Sequence, residues 1–379
     1  MIKLAVPKEI TDFEKRVSIT PDCVKSIIKL GIGLFIEKGA GEMSSYSDKD
    51  YINVGAKVCP NITELYKNAN IIVKINGPVA KGKINEFSKI NKNSSILALI
   101  YPEKFKKEYS LLKKMKSNVF AMELMPRISR AQSMDILSSQ SNLSGYKAVV
   151  DAASFYNKAF PLMMTSAGTI PPAKVLIIGA GVAGLQAIAT AKRLGAVVSA
   201  FDVRSATKEQ VESLGGNFVS VPDEEGGETS SGYAKEMTKS YKVKQAKLLQ
   251  DTLSKIDIVI STALVPGKPA PRIITKKMVE NMKPGSVIYD LASEFGGNCE
   301  LTKHGENIEY KSKFIIGPNN LASTVSQDAS RLFSKNILNF LVNSSDNGKF
   351  LDFNWDDELV IGTCILKNGK ESNLKNNRK

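Results

Sequence analysis

Gly179, Gly181 and Gly184, followed by an acid at Asp202, are the residues of this chain whose spacing points most directly to chemistry. They lie in KVLIIGAGVAGLQAIATAKRLGAVVSAFDVR, between Lys174 and Arg204. The apolar run from Val175 to Ile178 reads as a buried strand. The apolar helix behind the glycines leads to a second strand that ends at Asp202. In such a turn Gly179 lets the chain leave the strand sharply, Gly181 lets the backbone approach a pyrophosphate, and Gly184 lets helix and strand pack closely. The helix N-terminus, where Val182 sits, then presents unpaired N–H groups to the phosphates. A carboxylate about 20 residues further on accepts hydrogen bonds from the adenosine ribose hydroxyls. The pattern predicts a dinucleotide site. Asp202 would repel a 2′-phosphate, which favours NAD(H) over NADP(H). Arg204 pulls the other way unless it lies along the adenine or pairs with a cofactor phosphate.

Two irregular segments carry further polar groups, and loops on a rigid scaffold are where function concentrates. The first is MPRISRAQSMD, from Met125 to Asp135. It places Arg127, Gln132, Asp135 and Ser138 near one helix N-terminus facing a cleft. They read as a pocket for the nicotinamide carboxamide and ribose, with Asp135 holding Arg127, or else as an ordinary N-capping turn. The second is PDEEGGETSSGY, from Pro222 to Tyr233, acidic and rich in Gly and Ser. It reads as a lid that excludes water, with Tyr233 as its one large side chain, or as a plain surface loop.

The elements that must position these groups alternate along the chain. Strands are expected at Ile2 to Val6, Ile32 to Glu37, Ile71 to Ile75, Ile96 to Ile100 and Val119 to Glu123. Between them lie helices, one capped by Thr20 and opened by Pro21, another from Ser47 to Val54. A long helix is expected from Gln132 to about Tyr156, its small residues permitting close packing, and a loop around Thr165 to Pro172. Further strands are expected at Gly195 to Val203, Phe218 to Val221, Ile256 to Ile260, Ser286 to Asp290 and Lys313 to Ile316. A returning helix covers Leu321 to Val342, Glu358 to Lys367 adds a last strand, and Lys370 to Lys379 frays. Such alternation predicts an α/β fold. It comprises two Rossmann-like domains with mainly parallel sheets, linked by long helices with a cleft between them. Residues 1–135 with about 325–379 form the first domain, and 136–324 the nucleotide-binding one.

Composition excludes several classes. The 379 residues suffice for two well-filled cores. No apolar run approaches the ~18 residues of a membrane span, and MIKLAVPKEI has no signal-peptide layout. Four scattered cysteines without CxxC and a single histidine, His304, support no metal site and fit a reducing cytoplasm. The net charge of +14 comes from 52 basic residues of which only 8 are arginine. The lysines are spread along the chain without interleaved aromatics, as solvated helix faces rather than a nucleic-acid footprint.

GAGVAGLQAIATAKRLGAVVSAFDVR, RISRAQSMDILSSQSNLSGY, GYAKEM and TALVPGKPAP together resemble the NAD(H)-binding component, domain I, of the proton-translocating, Si-specific NAD(P) transhydrogenases. The likeness covers nearly the whole chain. It implies binding of NAD(H) and direct hydride transfer to NADP(H) on a partner subunit, coupled to proton translocation by a membrane-spanning partner. It also implies a homodimer held at the cytoplasmic face of the inner membrane by its partners. By matching the family's motifs, Arg127, Gln132, Asp135 and the flap's Tyr233 are implied in catalysis. Arg127, Ile128, Ser129, Arg130, Gln132 and Ser138 are implied at the cofactor. So are Gly179, Gly181, Val182, Gly184, Asp202, Val203, Arg204, Gly232, Gln245, Ala263 and Leu264.

The competing resemblance is to alanine dehydrogenase, which shares the two-domain plan. That enzyme needs a histidine in its first domain for proton transfer and a lysine for the substrate carboxylate. Lys74, on VKINGP, stands where such a lysine would be, but Ile96 to Tyr101 holds no histidine. A reaction that moves a proton with the hydride needs a general acid/base tuned near neutral pH, whereas hydride transfer alone needs none. An NAD-binding module without turnover of its own is the third reading.

Overall fold

The computed structural model describes residues 1–82, 84–221, 238–265 and 268–372. The flap residues Gly232 and Tyr233 lie outside them. The chain divides into two compact units, Met1–Gln140 with Ser323–Lys379, and Ser141–Ala322.

Unit 1 opens with β1 (Ile2–Val6), α1 (Pro21–Lys29), β2 (Ile32–Glu37), α2 (Asp48–Asn53), β3 (Lys57–Cys59), α3 (Ile62–Tyr66) and β4 (Ile71–Asn76). A small hairpin of β5 (Ala80–Lys81) and β6 (Ile84–Asn85) precedes β7 (Ser95–Leu99), α4 (Lys106–Lys113) and β8 (Asn118–Ala121). Thr20 holds the N-cap position of α1, yet its hydroxyl makes no capping bond. Ser47 does cap α2, through a reciprocal bond with Asp50. Strand β8 stops short of the expected Glu123, which turns inward so that its carboxylate accepts the N–H groups of Ile100 and Tyr101 (3.0 and 2.6 Å).

The long helix α5 (Ile136–Phe155) starts four residues later than its composition suggested, because Ser129–Met134 winds as a 3₁₀ turn and Asp135 is extended. Its first residues belong to unit 1 and those from Ser141 to unit 2. Unit 2 continues with an exposed hairpin, β9 (Met163–Thr165) and β10 (Gly168–Ile170), where only a loop was expected. Then come β11 (Lys174–Ile178), α6 (Val182–Arg193), β12 (Val197–Phe201), α7 (Thr207–Ser213), β13 (Asn217–Val219) and α8 (Lys239–Leu253). They are followed by β14 (Ile258–Ser261), α9 (Lys276–Glu280), β15 (Val287–Asp290), β16 (Asn307–Tyr310) and β17 (Lys313–Ile316).

The chain then returns to unit 1 through α10 (Ser326–Asn343), α11 (Glu358–Thr363), β18 (Cys364–Lys367) and β19 (Lys370–Glu371). Glu358 to Thr363 is therefore helical rather than strand, and Lys370–Glu371 pairs with β18 instead of fraying.

Among the described residues the large sheet of unit 1 runs β19-β18-β8-β7-β4-β1-β2-β3, and that of unit 2 runs β13-β12-β11-β14-β15-β17-β16. Pairing is parallel from β3 to β8 and from β13 to β17, and antiparallel only at the β18–β19 and β16 edges. The fold is α/β with mainly parallel sheets, as the alternation predicted. Parallel strands covered on both faces read as continuous apolar runs, and β7, β11 and β14 do so apart from one end residue each, whereas β4 carries Lys74 among its apolar residues. In unit 2 the strand order reverses between β11 and β14, and ligands of such sheets bind at that switch point.

Candidate functional site

The turn from β11 into α6 shows why three glycines are needed. Gly179 has φ +95°, a left-handed conformation that disfavours side chains, and a Cβ there would approach the Thr262 hydroxyl to 2.7 Å. A Cβ on Gly184 would collide with the Gly179 carbonyl oxygen, so α6 can sit this close to the turn only with glycine. Gly181 differs. It is the N-cap of α6, and nothing lies within 4 Å of where its Cβ would be. The free space lies where a phosphate would approach the helix N-terminus. Val182, in the first turn, is partly exposed beside it.

Asp202 follows β12 and is nearly buried. Its Oδ2 accepts the Ala180 N–H at 2.7 Å, which ties it to the glycine turn. Arg204 folds back on it, donating from its N–H and Nε to Oδ1 (both 2.9 Å) and from Nη2 to Oδ2 (2.7 Å). Its guanidinium is thus engaged by the Asp202 carboxylate. Val203 is partly buried against the core behind β12, and Gln245 sits half-buried on α8.

After β14 the chain passes Thr262, whose hydroxyl donates to the Gly179 carbonyl (2.9 Å), then Ala263 and Leu264. Both backbone groups of Ala263 are already bonded, its N–H to Asn298 Oδ1 and its carbonyl to Asn298 Nδ2. Ala263 therefore has no free backbone donor for a ligand, and the exposed side chain of this segment is Leu264.

In unit 1 the loop from Arg127 to Asp135 divides by face. Ile128, Ala131 and Met134 pack into the core, leaving Arg127, Ser129 and Gln132 exposed. The loop is anchored from behind by α10, whose Asn336 and Asn339 both donate to the Ser133 carbonyl (2.8 and 3.0 Å). Arg130 is a further anchor of the loop. Its guanidinium pairs with Asp357, Glu358 and Asn343. Asp135 also takes a different part from the one expected. Its Oδ1 accepts the Ser138 N–H (3.0 Å) and its Oδ2 the Ser138 hydroxyl (2.6 Å), so it caps α5 rather than holding Arg127. Short polar side chains at an N-cap are recognisable from sequence, but the partner they choose is not.

Two family models account for nearly all of the chain. The alanine dehydrogenase/PNT N-terminal domain matches residues 5–144, and the alanine dehydrogenase/PNT C-terminal domain matches residues 148–373. The chain belongs to the alanine dehydrogenase/PNT family. Within this family it is 50% identical to the first part of the NAD(P) transhydrogenase alpha subunit of Rhodospirillum rubrum, over 97% of both chains. A crystal structure of transhydrogenase from Sinorhizobium meliloti superposes with a TM-score of 0.88 at 44% identity, covering 98% of this chain and all of that one. Similarity to the alanine dehydrogenase of Methanococcus maripaludis is lower, 29% identity over 83% of this chain and 79% of that protein.

The family's two named branches give weight to a cluster in unit 1. Lys74 is 1% exposed, with Nζ 3.0 Å from Glu86 and 3.3 Å from Glu9. Burial alone would lower its pKa, but Glu9 and Glu86 more than offset this and hold it above the ordinary value. Tyr66 and the Val79 N–H complete the bonding of Glu86. Beside them Arg16 is buried in a two-pronged contact with Glu14 and donates to Gln140 on α5. Both cations are thus neutralised by the chain's own carboxylates. The single histidine of the chain, His304, lies in unit 2, its Nδ1 3.2 Å from the Ser293 hydroxyl. Among the described residues no three His, Cys, Asp or Glu side chains are grouped to hold a metal ion, and no helix is long and apolar enough to cross a membrane.

Proposed function

We propose that this chain is the NAD(H)-binding component of a proton-translocating NAD(P) transhydrogenase. The observation that carries the reading is the β11–α6 turn, with open space at Gly181 and close packing at Gly179 and Gly184. Gly181, Val182 and the α6 N-terminus would hold the pyrophosphate, and Asp202 with Val203 the adenosine ribose. Leu264 and Gln245 would line the cofactor, and Ser138 its nicotinamide ribose. Bound NAD(H) supplies the hydride. Arg127 and Gln132 orient the nicotinamide and its counterpart on an NADP(H)-binding partner subunit, while Asp135 fixes Ser138 and the start of α5. Tyr233 and Gly232 close over the cofactor. The protein's contribution is then orientation, since holding two reactants in the right geometry can supply much of the rate.

Two features favour this over the alanine dehydrogenase reading. No histidine stands near Tyr101, and Lys74 is buried against Glu9 and Glu86 with no exposed ammonium for a substrate carboxylate. The wider reading includes a homodimer held at the cytoplasmic side of the inner membrane by a membrane-spanning subunit that couples transfer to proton flow. Reconstitution tests it. Mixed with an NADP(H)-binding transhydrogenase subunit, the chain should move hydride between NADH and NADP+ analogues. An NAD-binding module without turnover would bind NADH and transfer nothing.

A further inference from the structure

The segment after β14 is held by one buried side chain that the sequence did not single out. Asn298 is fully buried. Its Oδ1 accepts the Ala263 N–H (3.0 Å), while Nδ2 donates to the carbonyls of Ala263 (2.8 Å) and Pro271 (2.9 Å). A single amide thus fastens both ends of the stretch from 263 to 271. A buried carboxylate, Asp290, sets the amide's own position. It accepts the Cys299 N–H (3.0 Å) and the Thr302 hydroxyl (2.7 Å) on one oxygen, and the Ala292 N–H (3.1 Å) and Ser261 hydroxyl (2.9 Å) on the other. Gly297, at φ +80°, leaves room for that carboxylate, since a Cβ there would come within 2.8 Å of Oδ2. Toward the glycine turn, Thr262 bonds the Gly179 carbonyl. The network therefore runs from Asp290 through Asn298 and Ala263 to the fingerprint.

Its direction follows from the sheet order. β12, which leads to Asp202, flanks β11 on one side and β14 flanks it on the other. A dinucleotide lying across the switch point places its adenosine half over the first side and its nicotinamide half over the second. Because Ala263 spends both backbone groups on Asn298, it offers a cofactor no backbone donor, and the exposed side chain next to it is Leu264.

We infer that Asn298 is a positioning residue for the nicotinamide half of NAD(H), acting through Leu264 without touching the cofactor. This rests on the cofactor reading above. Buried amides with every bond made are costly to disturb, so the positions of Ala263 and Pro271 depend on this residue.

The test uses the full chain, with NADH and AMP titrated separately. AMP carries the adenosine half alone. Asn298→Asp keeps the size and the acceptor for the Ala263 N–H but loses both donations; Asn298→Ala loses all three bonds. Each should weaken NADH tenfold or more and leave AMP within about twofold. Leu264→Ala, at an exposed position that does not endanger folding, should give the same NADH-selective loss, and Asn298→Asp, which keeps the size and the Ala263 bond, decides the matter if Asn298→Ala does not fold. An unchanged NADH affinity in these variants overturns the inference. So does a parallel loss of NADH and AMP, which would make Asn298 a general support of unit 2. Failure of the unaltered chain to bind NADH would instead sink the cofactor reading itself.

Discussion

Arg204 grips Asp202 from two sides, Nε on Oδ1 at 2.9 Å and Nη2 on Oδ2 at 2.7 Å, while the Ala180 N–H fixes the same carboxylate from the turn. A charge-assisted, two-pronged contact of this kind is among the stronger hydrogen-bonded pairs. Ribose hydroxyls must therefore compete with Arg204 for Asp202. The pair also weakens the negative charge that a 2′-phosphate would meet.

Cofactor preference should follow from that balance. NADH should bind far more tightly than NADPH, and Asp202→Ala should narrow the ratio at least tenfold, about 1.4 kcal/mol. Arg204→Ala, which leaves the carboxylate unopposed, should widen it. Fluorescence titration with both cofactors measures this. A ratio unmoved by Asp202→Ala would remove the role given to that residue.

The glycines separate binding from stability. Gly181→Ala has open space and an ordinary backbone conformation (φ −81°), so its melting temperature should equal or slightly exceed that of the unaltered chain. NADH affinity should nonetheless fall at least tenfold, because the methyl group occupies the phosphate approach. Gly184→Ala and Gly145→Ala, whose Cβ atoms would strike the Gly179 and Ala183 carbonyls, should each lose about 1–3 kcal/mol of stability. Denaturant melts and NADH titrations of the three variants are sufficient. Equal affinity in Gly181→Ala and the parent would contradict the phosphate assignment.

Gln132 is exposed on a firmly anchored loop, which suits a group that acts at the transfer step. Gln132→Asn should change NADH affinity by less than roughly tenfold. Hydride transfer in the reconstituted complex should drop about a hundredfold, since small misplacements of reacting groups are costly. Tyr233→Phe should give a modest effect spread over binding and rate. If stopped-flow rates put Gln132→Asn no lower than Tyr233→Phe, the loop is an ordinary binding loop.

Substrate class has a direct check. With Lys74 paired to Glu9 and Glu86, the chain should not reduce pyruvate with ammonia and NADH. A turnover of even ~1 s⁻¹, low among enzymes, would favour the alanine dehydrogenase branch.

The same cluster predicts a pH effect. Burial pushes the Glu9 carboxyl up to about 7; Lys74 pulls it down, and Glu14 and Glu86 push it further up. The folded chain then keeps a proton that the unfolded chain releases near the ordinary value of 4.5. This contribution to stability is complete below that value and is lost as the pH rises through about 7. Glu9→Gln, which cannot lose a proton, should gain on the parent between pH 5 and pH 8 by on the order of 2–3 kcal/mol. Urea melts at the two pH values measure the gap, and a constant gap would show that Glu9 does not titrate in this range.

Much of the fold was legible because buried parallel strands are continuous apolar runs, and helices announce themselves by Pro21, Ser47 and the glycines. The glycine fingerprint was legible because Gly179 and Gly184 have steric tasks that only glycine fulfils, while Gly181 leaves the helix N-terminus open. What escaped was partnership. Nothing in the spacing says that Asp135 turns to Ser138, that Arg130 pairs with Asp357, or that Arg204 closes on Asp202. Asn298 was missed because a lone Asn after two glycines reads as a turn, and its burial depends on contacts far along the chain. The start of α5 was placed at Gln132, four residues early, because Gln132 to Asp135 was read as continuing the helix, whereas Ser129–Met134 winds as a 3₁₀ turn whose Ser133 carbonyl is held by Asn336 and Asn339.

The return of the chain to unit 1 bears on how the protein is made. During synthesis β8 emerges long before β18, its antiparallel neighbour, and Phe120 before Phe340 and Phe353, which pack on its ring. Unit 2 lies wholly between them and is completed on the ribosome first, although nascent chains ordinarily fold from the N-terminal end. Until then the first 140 residues carry an open strand edge at β8 and an uncovered aromatic surface, a ready template for pairing with other chains. A nascent chain stalled before Ser323 should therefore be the aggregation-prone and chaperone-dependent stage of its production.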